Sequence, residues 1–337
     1  MKSYFNCSLF EEELVVCENF QILQKELQLK KIQNNKASFN VVDVVYKCRW
    51  NKNSFWDKDK PSILIPIKDN IKLIKTTISN LVHNNIHNKA NIIIIDDRST
   101  KDIEKVVSLY EKVSYLRIDN EKGFNFSMLN NIAAKICYEL GNNTVIFWNS
   151  DLWCPKENYY DDLVKLHIDN NCVVSGTKLV YPPLEFSLNG EIDSDNIKKY
   201  FPKMTDGKWR ETIQFGGGTW YGGNSHHFKR FAKIDDKFVD CNRITTFITG
   251  AFQIWNLKHF IELGGFNPSL SKNFQDGDLM LKCLESDICP VYFGKDLFMY
   301  HDESLTLMDE NKEDKQMNSD AVLFHKVWFD KIFNLVC

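Results

Sequence analysis

Between residue 61 and about residue 155 the chain alternates two patterns of apolar residues. Short apolar runs occupy 63–67, 92–95 and 145–148, with a shorter one over 115–118 that is interrupted by Arg117. Between them the apolar residues recur every three or four positions: Leu73, Ile74, Ile78, Leu81 and Val82, then Ile103, Val106, Val107 and Tyr110, then Leu129, Ile132, Ala133 and Ile136. A strand that is apolar at every residue has both faces covered, which is the condition of a parallel sheet. Strand and amphipathic helix in alternation therefore predict βαβ units with right-handed crossovers and helices on both faces.

The flanks read differently. Leu14, Cys17, Phe20, Leu23 and Leu27 stand at helical spacing and predict a helix over 11 to about 34, followed by a polar stretch and a strand over 41–46. Residues 47–52 interleave basic and aromatic side chains and are read as a solvated connector rather than a membrane or acceptor contact. Near the other end, Val322, Phe324, Val327, Trp328, Ile332 and Phe333 suit an amphipathic helix, expected to pack on its own domain. Membrane attachment or dimerisation is the alternative for that helix.

Composition narrows the class. A chain of 337 residues, 43% hydrophobic, suits one large α/β domain with additions. The division expected is an N-terminal extension over 1–60, a main domain over 61–305 and a helical tail over 306–337. Within the main domain, 61–155 forms a nucleotide-binding half and 156–305 an acceptor half. A formal charge of -3 gives no general attraction to nucleic acid. Ten cysteines without a CxxC pair, and eight histidines without HExxH, argue against structural zinc and fit a reducing compartment. No apolar run approaches the roughly 18 residues of a spanning helix, and no signal pattern opens the chain. A soluble, cytoplasmic protein is expected, with peripheral contact at the inner face of a membrane left open; oligomeric state is not legible.

Chemistry appears where the apolar runs stop. In a doubly wound sheet the ligand sits beyond the carboxyl ends of the strands, so Lys68-Asp69, Asp96-Asp97 and Asn149-Ser150-Asp151 should line one crevice. Carboxylates there can accept bonds from a base or ribose, or hold a hard cation that bridges two phosphates. Neither GxGxxG nor GxxxxGK[ST] occurs, so a metal-neutralised diphosphate is the better expectation than a glycine-cradled one.

These segments carry a family resemblance. Residues 61–66, 92–100, 123–131 and 147–155 resemble the donor half of family-2-type glycosyltransferases with the GT-A fold. The Phe-Asn motif at 124–131 and the segment 147–155 also resemble the β-1,4-galactosyltransferase group. In the second half, Thr249-Gly250-Ala251-Phe252, Gly264-Gly265-Phe266-Asn267, Gln275-Asp276-Gly277-Asp278-Leu279 and Tyr300-His301-Asp302 look like the matching elements of these enzymes and of bacterial polysaccharide polymerases. The resemblance implies a Rossmann-like, mostly parallel twisted sheet with flanking helices and added terminal helices. It also implies an inverting, metal-dependent enzyme that moves a hexose or N-acetylhexosamine from a UDP-sugar to a saccharide or lipid-linked acceptor in glycan or surface polysaccharide synthesis.

Position by position, the resemblance assigns roles. Asp97 would contact uracil or ribose, with Pro66 and Asp69 shaping the base pocket and Asn131 and Asn149 on the nucleotide-sugar side. Asp151, the last acid of the DxD motif, would bind Mn²⁺ or Mg²⁺ together with His301. Asp276 would be the general base, Asp278 would orient acceptor or helix on the acceptor side, and Gly250, Trp220 and Tyr221 would face the acceptor. Three departures stand out: Asn149 replaces the first acid of DxD, Gln275 replaces a frequent Glu, and Phe126 replaces a basic residue that contacts the diphosphate.

Plainer readings stay open. Asp96 and Asp97 suit a strand-end turn that caps a helix, Asn149 to Asp151 suits a turn, and Asp276 and Asp278 suit the first turn of a helix. A single histidine such as His301 is more often structural than a ligand. The glycine-rich segment 215–224 is either a flap that closes over a sugar or a loop whose aromatics fill the core. A catalytically silent carbohydrate-binding relative and a nucleotidyltransferase are the competing functions.

Overall fold

The computed structural model describes residues 47–121, 123–183, 209–302 and 310–336. The helix expected over 11–34 and the strand expected over 41–46 lie outside the described residues. The first element is β1 (Lys47–Asn51), an edge strand that pairs antiparallel with β4 (Val113–Asp119). The sequence reading had this segment as a solvated connector. The structure instead sends Cys48 and Trp50 into the core and leaves Arg49 outside, paired with Glu104, so the basic residues had masked a period-2 strand.

The expected alternation follows. β2 (Ser62–Ile67), α1 (Ile71–His83), β3 (Asn91–Asp97), α2 (Ile103–Val107), β4, α3 (Phe126–Glu139) and β5 (Thr144–Trp148) come in chain order. Their strands are parallel in the spatial order β4-β3-β2-β5, and every residue of β2 and β3 is buried. Each helix start is fixed by its own residues: the Asn70, Asp102 and Asn125 side chains accept from Leu73, Lys105 and Met128 N–H and cap α1, α2 and α3.

The chain leaves β2 toward β3 on one side and returns as β5 on the other, so the topological switch point lies between β2 and β5. β2 pairs with β3 along its whole length but with β5 only from Ser62 to Leu64. Pro66 has no N–H to give and sits past that last pairing, where none is needed. The two strands part there, beneath the residues that follow them.

The second half extends the same sheet. After β6 (Leu152–Trp153) and α4 (Glu157–Asp169) come β7 (Val174–Thr177), β8 (Leu179–Val180), β9 (Ile213–Phe215), β10 (Gly218–Tyr221), β11 (Asn224–His227), β12 (Asn242–Ile244) and β13 (Phe252–Asn256). Then follow α5 (Leu257–Glu262), α6 (Gln275–Glu285), β14 (Val291–Phe293), β15 (Met299–His301) and α7 (Glu310–Val336). β13 runs antiparallel between β5 and β7, and β14 and β12 complete a nine-stranded sheet. A small sheet in the order β6-β15-β8-β9 lies beside the switch point, and β10 and β11 form a separate hairpin.

On α7, Phe324, Trp328 and Ile332 are buried against Leu270 and Leu281. Val322 and Phe333, expected on the same apolar face, are 70% and 78% exposed. No helix among the described residues is long and apolar enough to cross a membrane.

Candidate functional site

Four carboxylates of the first half stand at the carboxyl ends of β2, β3 and β5: Asp69, Asp96, Asp97 and Asp151. Asp96 and Asp97 end β3, and they do different work. Asp96 is wholly buried and accepts from Ser99 N (2.9 Å), Tyr115 Oη (2.5 Å) and Arg117 Nη1 (3.0 Å), which fixes the turn after the strand. Asp97, also 0% exposed, meets Lys68 Nζ at 3.1 Å through Oδ2. Burial pushes the Asp97 carboxyl above its usual range, and Lys68 and Asn120 oppose that rise. Its other oxygen, Oδ1, is buried with no hydrogen-bond partner. A buried acceptor left open is costly, and a ligand donor is one way to satisfy it.

Asp69 follows β2 in the left-handed region at φ 53°. Its Oδ1 accepts from Thr100 N, Thr100 Oγ1 and Lys101 N at 2.6, 2.8 and 3.2 Å. Burial alone would raise this carboxyl, but those bonds and the Lys68 charge together hold it below its usual range. Asp69 thus ties the β2 turn to the β3 turn and frames the space beside Pro66.

Asp151 is placed by a tight turn after β5. Leu152 N donates to Asn149 O (3.1 Å), the Trp148 indole donates to Leu152 O (2.9 Å), and the Thr77 hydroxyl of α1 donates to Ser150 O. From 150 residues away, β15 pairs with β6, and Asp302 N donates to Asp151 O at 3.0 Å. That ladder brings His301 Nε2 to 3.3 Å from Asp151 Oδ1, both side chains being 7% exposed. One carboxylate oxygen and one imidazole nitrogen at this separation can share a cation, and the mixed O/N set suits Mn²⁺ over Mg²⁺. Among the described residues no group of three His, Cys, Asp or Glu could enclose a metal unaided. A cation held by this pair would need further oxygens from a ligand.

Arg210 had no signal in the sequence reading. Burial lowers its guanidinium pKa, and the Asp302 charge opposes that, which puts a cation beside the same corner. Its side chain donates from Nη1 to Pro182 O at 3.3 Å and lies over the Trp209 ring, 4.5 Å from its centroid. Phe126, which stands where the resemblance has a base, turns inward against Phe266 at 5.4 Å. Asn131 is likewise used within the fold, since its amide donates to Phe266 O (2.7 Å) and accepts from Phe266 N (3.0 Å). That pair bolts α3 to the Gly264-Gly265-Phe266 turn and takes the amide away from the crevice.

In the second half Asp276 opens α6. Its Oδ2 accepts from Gly250 N at 2.7 Å and its Oδ1 from Gly277 N at 2.8 Å. Burial raises the carboxyl above its usual range, and the Gly250 and Gly277 bonds moderate the rise. A carboxylate made more basic yet held by two backbone donors is oriented to take a proton. Gly250 thus serves the carboxylate rather than standing free. Asp278 is 2% exposed and faces α7: Oδ1 accepts from Trp328 Nε1 at 2.9 Å, and Lys282 Nζ lies 2.6 Å from Oδ2.

The residue before α6 is unusual. Phe274 is the N-cap at φ 62°, gives no side-chain cap, and for a bulky residue that conformation costs about 1–2 kcal/mol. The glycine-rich segment forms the β10–β11 hairpin. Gly222 and Gly223, both at positive φ, make the two-residue turn between paired Tyr221 and Asn224. Trp220 packs inward on Phe247 and lies parallel to Phe324, and its indole N–H is buried without a partner. Tyr221 at the tip is 80% exposed.

The glycosyl transferase family 2 pattern matches residues 62–231, and the chain belongs to that family. Its fold is GT-A, shared with solved glycosyltransferases. GalNAc-T7, solved with UDP, GalNAc and Mn²⁺, superposes with a TM-score of 0.56 at 13% identity, over 82% of this chain and 49% of that one. A mannosyltransferase from Pyrobaculum calidifontis, PcManGT, solved with GDP-Man and Mn²⁺, gives 0.51 at 11% identity, over 83% and 66%. The chain thus spans about half the length of the first. At these identities the likeness concerns the fold. No curated protein matches the sequence.

Proposed function

We propose that this glycosyltransferase is inverting and metal-dependent and transfers a hexose or N-acetylhexosamine from a UDP-sugar to a saccharide or lipid-linked acceptor. The observation that carries the reading is the pairing of Asp151 with His301 at 3.3 Å, made by β6 and β15 at the carboxyl ends of the parallel strands. Asp151 and His301 would hold Mn²⁺, whose charge offsets that of the departing diphosphate. Asp97 offers its open Oδ1 to the uracil or ribose, and Pro66 and Asp69 bound the base. Asn149, with no charge, leaves metal binding to Asp151 and His301. Arg210 supplies the cation that Phe126 does not.

Asp276 accepts the proton of the acceptor hydroxyl as that oxygen attacks the anomeric carbon and the bond to the diphosphate breaks. One displacement by one base inverts the configuration. Tyr221, exposed at the hairpin tip, provides the aromatic surface on the acceptor side, a fit for the C–H faces of a pyranose, while Trp220 seats the hairpin on Phe247 and Phe324. Asp278 serves the site by fixing α6 rather than by touching sugar.

The test is product release from a panel of UDP- and GDP-sugars with and without Mn²⁺. The reading expects UDP release that needs Mn²⁺ and disappears in Asp276→Asn. Pyrophosphate release would instead indicate a nucleotidyltransferase, and binding with no turnover by the unmodified protein would indicate a silent sugar-binding relative.

A further inference from the structure

We propose that Asp320 and Phe324 of the C-terminal helix α7 are positioning residues for the Asp276 carboxylate, holding the turn at 272–278 in its one working conformation. The inference rests on reading Asp276 as the base. Four other helices of this fold begin on a residue whose side chain caps them, Asn70, Asp102, Asn125 and Asn256 each bonding an N–H of the first turn, while α4 begins on the uncapped but extended Lys156. α6 begins on Phe274, whose side chain cannot cap it. Its turn is secured from outside.

Asp320, 1% exposed, supplies the missing acceptor. One oxygen, Oδ2, takes Lys272 N at 3.0 Å and Asn273 N at 3.1 Å, the two residues before the left-handed Phe274. One turn further along α7, Phe324 stacks on Phe274 with ring centroids 4.9 Å apart and 26° between planes. The same ring lies so close to Gly277 that a Cβ there would sit 3.4 Å from it. One more turn on, Trp328 bonds Asp278. Three successive turns of α7 thus grip both sides of Asp276, although Asp320 and Lys272 are 48 positions apart.

The grip reaches the hairpin as well. Phe324 lies parallel to Trp220 at 6.3 Å, His325 Nε2 is 3.1 Å from Asn224 Oδ1, and Phe329 lies against Gly223. A single helix therefore sets the base and the acceptor-side aromatics relative to each other. Loss of the clamp should disturb transfer and spare nucleotide binding.

The experiment compares Asp320→Ala, Asp320→Asn and Phe324→Leu, with Lys331→Ala as a control on the same helix. It reads UDP release from UDP-glucose, UDP-galactose and their N-acetylated forms, the affinity for UDP with Mn²⁺, and hydrogen exchange over 249–251 and 272–278. Asp320→Ala should lower kcat roughly 10- to 100-fold, as expected for a misplaced catalytic group, with KM for the donor and UDP affinity changed less than about twofold. Exchange should rise in both segments, because Gly250 N–H is bound to Asp276. Asp320→Asn keeps an acceptor oxygen and should recover most of the rate. If Asp320→Ala is too unstable to purify, Phe324→Leu carries the same expectation. Unchanged kcat and exchange, or a parallel loss of kcat and UDP affinity, would overturn the proposal. Turnover surviving in Asp276→Asn would remove the base assignment itself, and the exchange result would still decide whether α7 holds the turn.

Discussion

The two halves of the molecule hold their carboxylates by opposite means. In the first half, Asp97 ends a buried parallel strand and Asp151 follows another by three residues, so the strand ends aim them. Asp97 is balanced by a lysine side chain, Lys68, and keeps one oxygen open. In the second half, Asp276 stands on a strained turn and is held by backbone N–H groups of Gly250 and Gly277, with the turn itself gripped by α7. A sheet end is a rigid mount, which under the proposed function suits the nucleotide. A turn braced by a distant helix can be re-aimed by changing that helix, which under the proposed function suits the acceptor.

Four changes would break or sharpen that contrast. The largest effect is expected at Asp276→Asn, which should cost about 10²- to 10⁴-fold in transfer, the usual worth of a general base, and leave UDP binding intact. The accompanying pH profile has a definite sign. Burial raises Asp276, and a base works only when deprotonated, so the rate should fall as pH drops through a value above the ordinary carboxylate range. An acid limb at the ordinary value would mean the carboxyl is not buried in the working enzyme.

Next is Trp50→Ala, which empties a fully buried site on β1 and should cost about 3–5 kcal/mol in denaturant unfolding. A cost below about 1 kcal/mol would restore the connector reading of 47–52. Asp151→Ala should weaken Mn²⁺-dependent UDP binding by about tenfold or more, at least about 1.4 kcal/mol in calorimetry, without altering the exchange of 272–278. Coupled changes in both would show that the two sides are not independently built. The smallest effect belongs to Lys331→Ala, which removes an exposed pair with Glu285 and should shift stability by less than about 1 kcal/mol.

The donor side was legible because its signals are local. Three apolar runs, ending at Asp69, Asp97 and Asn149, state strand and strand end within a few residues each, and the caps at Asn70 and Asn125 stand next to what they cap. The acceptor side was legible only as isolated motifs. Asp276 and Asp278 sit two positions apart, and only the resemblance told them apart in the sequence; in the fold one meets the backbone donors of Gly250 and Gly277 and the other is locked to Trp328 by the docking of α7. Asp320, whose partners lie 47 and 48 positions away, and Arg210 were not legible at all. Val322 and Phe333 misled for the reverse reason: helical spacing identified a helix, but the face that is buried depends on what it meets. The basic residues of β1 hid an alternation only two inward residues long, Cys48 and Trp50.

The direct test of the account is titration calorimetry of UDP into the intact protein, with Mn²⁺ and then with the metal chelated, repeated on Asp151→Ala. The account predicts one UDP per chain, bound only with Mn²⁺ and lost in the variant. Equal UDP affinity with and without the metal, or in Asp151→Ala, would contradict it.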